Sequence, residues 1–142
     1  SIAIIDRNFK LKNISNLIKK EGFRKIYLFT TIRNKTKENY FRKKGVRIIK
    51  LKKMKTYKDF RNILFKLKNL GFSRILLESG LKFLNFSLLA KFVDNLYIFK
   101  TTNNLNKDGI NYTSSALLKK VSLRKKVKVN LFGDSLYKVN LK

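Results

Sequence analysis

The 142-residue sequence predicts an α/β domain with a mixed, mostly parallel sheet, flanked by helices and closed by an antiparallel hairpin at its C-terminal end. Three observations carry this. Short apolar runs rich in Ile, Val, Leu, Tyr and Phe recur at 1–6, 25–30, 46–51, 74–78 and 95–100, with the length and composition of strands. Between them lie stretches of helical spacing, long enough to serve as crossovers between parallel strands. After Thr101 the pattern changes, and the chain closes with KVKVNLF and SLYKVNLK, which alternate around Gly133 and Asp134. That is the mark of a hairpin with a two-residue turn, in which glycine supplies the positive φ.

Each element has its own signals. SIAIID, residues 1–6, is a buried-type strand ending at the turn-like Asp6-Arg7-Asn8. In NISNLIKKEGF, Asn13 or Ser15 starts a short helix and Gly22 stops it. KIYLFT, 25–30, is the second strand, followed by a polar loop over 31–36 and two helical turns, KENYFRKKG, ending at Gly45. VRIIKL, 46–51, is the third strand. Thr56 with Asp59 forms a capping-box pattern, and Phe60, Ile63, Leu64, Leu67 and Leu70 repeat at helical spacing up to Gly71, so one face of this helix must cover a sheet. RILLE, 74–78, is the fourth strand, Leu81 to Phe92 the next helix, and NLYIFK, 95–100, the fifth strand. TTNNLNKDGINYTSS, from Thr101, is a polar loop. There is no internal repeat or Gly-, Ser- or Pro-rich linker, so a single domain over 1–142 is the expectation.

Composition excludes whole classes of chemistry. With no Cys and no His there is neither a disulfide framework nor a zinc site of the usual ligands, and no Ser-His triad. No apolar run approaches the roughly 18 residues that cross a bilayer, and the start lacks the pattern of a signal peptide; a cytoplasmic protein is the expectation. The formal charge of +27 fits a polyanion partner. It also fits compositional drift: 27 of the 35 basic residues are Lys, Asn, Ile and Phe abound, and the lysines are spread along every segment. On the second reading, nucleic acid binds only non-specifically and salt-sensitively.

One short stretch concentrates the candidate chemistry. In LLESGLKF an apolar run ends at Glu78 and passes through Gly80 into an apolar helix. In open α/β sheets ligands bind beyond the carboxyl ends of strands, and helix-start amides attract phosphate. Glycine lets the backbone approach a bound group closely. A plainer reading is that an acid near a helix start stabilises the helix dipole by about 0.3–1 kcal/mol and that the glycine serves a tight turn.

The segment GFSRILLESGLKFLNFSLLAKFVDNLYIF resembles the signature of the riboflavin-biosynthesis reductase family, the RibD C-terminal domain, which has a dihydrofolate-reductase-like fold. That family carries an apolar strand ending in Glu-x-Gly, an apolar helix, and a Val-Asp-Glu-Leu-like step into the next strand; here stand Glu78, Ser79 and Gly80, then Val93, Asp94, Asn95 and Leu96. IAIIDRNFKL, from Ile2 to Leu11, is similar to the family's RVVLDR…L strand, and LFGDSLYKVNLK resembles its closing GDDL hairpin.

The resemblance implies NADPH-dependent reduction of 5-amino-6-(5-phosphoribosylamino)uracil, in which the ribosyl group becomes ribityl. It places Glu78 against the substrate, Gly80, Leu81, Lys82 and Phe83 at the cofactor's phosphates, and Thr30 or Thr31 near the cofactor; it assigns no catalytic residue in this chain. Arg33 is near enough in sequence to meet the 2′-phosphate of NADPH, an inference from charge, with a solvated loop arginine as the alternative. The family's domain begins with a further stretch, bearing an Ala/Ser-x-Asp-Gly-like strand and an Asp-Asp-Pro segment, that brings a Lys and an Asp to the active site, and nothing here matches it. The expectation is therefore an incomplete domain, inactive or weakly active alone. Its implied partners are the absent half or a deaminase domain, and a homo-oligomer, since proteins of this pathway are commonly oligomeric. The alternative function is a small basic α/β module that binds nucleic acid.

Overall fold

The computed structural model describes residues 1–13, 18, 24–102 and 121–141. The chain forms two compact units, Ser1–Arg74 and Ile75–Lys142. The helix expected over NISNLIKKEGF and the polar loop from Thr101 lie largely outside the described residues. No helix among the described residues is long and apolar enough to cross a membrane.

The first unit is built on β1 (Ile2–Ile5), β2 (Ile26–Thr30) and β3 (Val46–Lys50), a parallel sheet in the order β1-β2-β3. The registers pair Ile4 with Leu28 and Leu28 with Ile48. All five residues of β2 are buried, which explains its unbroken apolar run: a central parallel strand is covered on both faces. On one face Ile26 and Leu28 pack with Phe9, Ile18, Phe41, Val46 and Ile48. On the other, Tyr27 and Phe29 pack with Met54, Ile63 and Leu67.

Two helices close these faces. In α1 (Lys35–Lys43), the Asn34 side chain accepts the Lys37 amide at 2.9 Å and the Glu38 carboxylate accepts the Asn34 amide at 3.1 Å; the helix buries Phe41, whose ring centroid lies 5.7 Å from that of Phe9. In α2 (Tyr57–Asn69) the capping box forms as the spacing predicts, with the Thr56 hydroxyl accepting the Asp59 amide and the Asp59 carboxylate accepting the Thr56 amide at 2.8 Å. Two further donors, the Lys55 amide and the Thr56 hydroxyl, reach the same carboxylate oxygen at 2.9 Å. These hydrogen bonds hold the Asp59 carboxyl below its ordinary pKa, Lys55 contributing most. The helix stops at Gly71, φ 93°, where the Phe72 amide donates to the Leu67 carbonyl and the Gly71 amide to the Lys68 carbonyl. This left-handed cap favours glycine, and it folds Phe72 back onto Tyr27, ring centroids 5.5 Å apart.

The second unit departs from expectation. RILLE, predicted as a strand, is irregular, and no ladder hydrogen bond among the described residues reaches it. A strand exists only with a partner for its backbone groups, and the apolar run supplies none itself. Helix α3 (Leu81–Leu89) ends three residues before the predicted Phe92, because Lys91 turns left-handed at φ 55° and the Phe92 amide donates to the Ser87 carbonyl. β4 (Asn95–Lys100) does not extend the parallel series. It pairs antiparallel with β6 (Ser135–Asn140), which also pairs β5 (Lys126–Val127), giving a separate sheet in the order β4-β6-β5.

The hairpin turn also differs from the prediction. Its centre is Phe132 and Gly133, φ 49° and 102°, closed by the Asp134 amide on the Leu131 carbonyl at 3.1 Å, one residue earlier than Gly133-Asp134. Only two residues of the first strand pair, since the Val129 amide turns back onto the Val127 carbonyl and ends the ladder. The architecture is thus mixed α/β, with a parallel three-stranded sheet, an antiparallel sheet and three helices among the described residues. All the fully buried apolar side chains among those residues belong to the first unit.

Candidate functional site

The residues singled out by sequence fall into both units, Thr30, Thr31 and Arg33 in the first and Glu78 to Phe83 in the second. Thr30 closes β2 and is wholly buried. Its hydroxyl donates to the Arg7 carbonyl and accepts the Ile32 amide, both at 3.3 Å. The Thr31 hydroxyl donates to the same carbonyl at 2.9 Å, and its amide does so at 3.3 Å. Both threonines therefore clamp the loop after β1 to the end of β2, while the Asp6 carboxylate accepts the Leu11 amide at 2.6 Å and shapes that loop from within. Thr30 has no hydroxyl capacity directed outward; Thr31 is half-exposed and can still accept.

This carboxyl end of the parallel sheet is strongly basic. Lys50, at the end of β3, binds the Glu38 carboxylate and the Ile32 carbonyl, and its ammonium lies 5.4 Å from the centroid of Phe9. Lys50 holds the Glu38 carboxyl below its ordinary pKa, aided by the Asn34 amide and by Arg42, against the opposing effect of burial. Lys37 donates to the Phe9 carbonyl and sits 4.8 Å from the same ring. Lys10, Lys12, Thr36, Lys37, Asn34 and Tyr40 line a shallow open groove of about 580 Å³ beside the start of α1. The groove suits an anion by charge, and sequence reasoning did not identify it. The visible signal was the pair Lys10 and Lys12 just past a strand, opposite a helix start. Arg33 is exposed in the neighbouring loop.

In the second unit Glu78 is exposed on the irregular segment, two residues before the N-cap of α3. The first turn of that helix itself holds no acid, and Glu78, just before the N-cap, still lies near the helix start as the helix-dipole reading has it. Gly80 is the N-cap, at φ −64° and ψ 156°, a conformation open to any residue. A Cβ built there meets nothing within 4 Å. Neither backbone strain nor crowding accounts for the glycine, and as an N-cap it offers no side-chain oxygen to the helix amides. Its carbonyl accepts the Phe83 and Leu84 amides at 3.0 and 3.1 Å. The amide of Phe83, one of the expected phosphate contacts, is therefore engaged within the helix, whereas Leu81 at the first helical position has no intrahelical acceptor. Lys82 is exposed, and the Phe83 ring stacks on Phe86 with centroids 5.9 Å apart.

Chemically, the uncapped helix start can receive a phosphate oxygen, with Lys82 alongside to add charge. Glu78 is exposed and can accept hydrogen bonds from sugar hydroxyls. No model of a known protein family matches the chain, and no curated protein is found to match it.

Proposed function

We propose that this chain contributes to an NADPH-dependent reductase acting on a phosphoribosylaminopyrimidine, 5-amino-6-(5-phosphoribosylamino)uracil. The observation that carries the reading is the step from Glu78 through Gly80 into α3. The glycine there has no conformational or packing cause, and the helix start has no capping side chain. A backbone left bare at that point suits close approach by a phosphate group. The apolar helix that follows, the step into β4 and the closing hairpin stand in the order the family resemblance implies.

The residues fit the phosphate end of the cofactor better than the reacting end. When bound, NADPH supplies the hydride that reduces the sugar carbon. The Leu81 amide and the Lys82 ammonium hold phosphate oxygens, and Glu78 orients the substrate by accepting from its hydroxyls. In the first unit, taken by itself, Thr31 keeps acceptor capacity and Arg33 presents an exposed guanidinium suited to a phosphate. Thr30 acts indirectly, by fixing the Arg7 loop. Because water reaches Glu78 from the open side, the chain alone binds better than it catalyses, since reductive chemistry of this kind needs water excluded.

The test is a titration of the protein with NADPH and with NADH, comparing wild type and Gly80→Val. A β-branched residue is tolerated by the Gly80 backbone but fills the space a phosphate would use. The expected result is tighter binding of NADPH than of NADH, and a loss of at least about tenfold in Gly80→Val with unchanged circular dichroism. Equal affinity in the two proteins removes Gly80 from the site and the reading with it. Turnover of the substrate by residues 1–142 at an ordinary enzymic rate contradicts the expectation of weak activity.

A further inference from the structure

We propose that the face of the β4-β6-β5 sheet that carries the exposed rings of Tyr97 and Phe99 is a stacking platform for single-stranded nucleic acid. Tyr97 and Phe99 stand two apart on β4 and so project from one face, and both are open to water, 49% and 68% exposed, whereas Leu96 and Ile98 of the opposite face are half-buried. In antiparallel pairing, residues directly opposite share a face. Lys138 is opposite Tyr97, Leu136 is opposite Phe99, and Val127 is opposite Leu136, these three being half-buried. The Lys138 amide donates to the Lys125 carbonyl at 2.9 Å, which carries the ladder one residue beyond β5 and sets Lys125 opposite Lys138.

The face therefore consists of two cross-strand rows, Tyr97-Lys138-Lys125 and Phe99-Leu136-Val127. In the first, an aromatic residue is followed by two lysines on strands about 5 and 10 Å away across the ladder. Like charges directly opposite each other destabilise a sheet, and an anion lying between Lys138 and Lys125 relieves that repulsion. The two rings are about 7 Å apart along the strand, so each can take one base of a strand whose phosphates run over the lysines. Stacking of this kind requires an unpaired base face, which a duplex does not offer.

Charge selects the occupant. The strands NLYIFK, KV and SLYKVN contain no acid, and RKKVK, residues 124–128, places four cations in five positions at the edge of the same sheet. A second copy of a chain carrying +27 meets its own repulsion on this face. A single-stranded polyanion with aromatic bases satisfies both the rings and the lysines. This inference does not depend on the reductase reading, and the two are tested by different ligands.

The experiment measures fluorescence anisotropy of labelled dodecathymidylate and of a 12-base-pair duplex over a series of salt concentrations, using the full chain. Tyr97→Ala and Phe99→Ala should each weaken single-strand binding by about 5- to 150-fold, the range that base–aromatic stacking spans, and leave the salt dependence unchanged. Tyr97→Phe should retain the affinity, which separates a lost ring from a damaged fold. Replacing Lys125 and Lys138 by Gln should flatten the slope of log K against log salt by about 1.4, as expected for two phosphate contacts on a single strand. The proposal is overturned if the alanine variants bind as wild type does, or if duplex is bound as tightly as single strand. It is also overturned if sedimentation shows the wild type self-associating through Phe99.

Discussion

Leu28→Ala tests the central feature of the fold, the burial of β2 on both faces. Leu28 has no exposed surface and lies between Ile4 and Ile48 in the parallel ladder. Truncation removes three carbons from the core, a transfer loss of roughly 2.4 kcal/mol at about 0.8 kcal/mol per methylene. Flanking residues Phe9, Ile26, Phe41 and Val46 belong to a cluster held by the sheet and by α1, so the cavity collapses only in part, and the total should reach about 3–5 kcal/mol. That is a large share of the stability of a unit this size. The assay is urea unfolding followed by circular dichroism and by tyrosine fluorescence, since the chain has no Trp. Leu76→Ala is the control: Leu76 is 78% exposed, and its loss should cost less than about 0.5 kcal/mol. If Leu28→Ala costs under about 1 kcal/mol, or no more than the control, β2 is not the covered centre of the sheet.

Three further outcomes are expected. Thr56→Ala removes the N-cap oxygen of α2 and should cost about 0.5–2 kcal/mol in the same unfolding assay, with Thr56→Ser retaining most of it. Lys91→Gly should stabilise the chain by about 1 kcal/mol, because a non-glycine residue at φ 55° carries a left-handed penalty; a lower melting temperature would contradict this. Glu38 and Asp59 have folded-state pKa values below their ordinary 4.5 and 3.8. The unfolded chain therefore binds protons first as pH falls, so their stabilisation is complete above about pH 4.5 and lost as pH drops through the lower folded values. Melting temperature should fall over that window, and Glu38→Gln with Asp59→Asn should flatten the fall; an undiminished slope in the double variant would show that other groups govern acid unfolding.

How far the sequence reveals this molecule depends on how local each feature is. The capping box at Thr56 and the stop at Gly71 were legible because each is satisfied within a few residues of its own position. KIYLFT was legible as a buried strand because an unbroken apolar run suits a strand covered on both sides. RILLE also centres on an apolar run and still forms no strand, since an apolar run cannot supply its own ladder partner. The hairpin is legible, but its turn lies one residue before Gly133-Asp134, because Phe132, an unusual residue for positive φ, joins Gly133 at its centre. The candidate site behaves likewise. Glu78 and Gly80 could be picked out one by one, but the lysine groove beside α1 depends on the loop after β1 meeting a helix more than twenty residues away.

From the sequence alone came the capping box and glycine stop of α2, the apolar runs of β1, β2 and β3, the +27 charge and the absence of Cys and His with the chemistries that absence removes. Only the tertiary structure decided which strands pair: β1, β2 and β3 in parallel, and β4 with β6 in a sheet of its own. The reason is physical. A period of two specifies which face of a strand is apolar, and a cap specifies where a helix begins. The backbone hydrogen bonds of a strand are completed by residues far along the chain, and their identity is settled by packing.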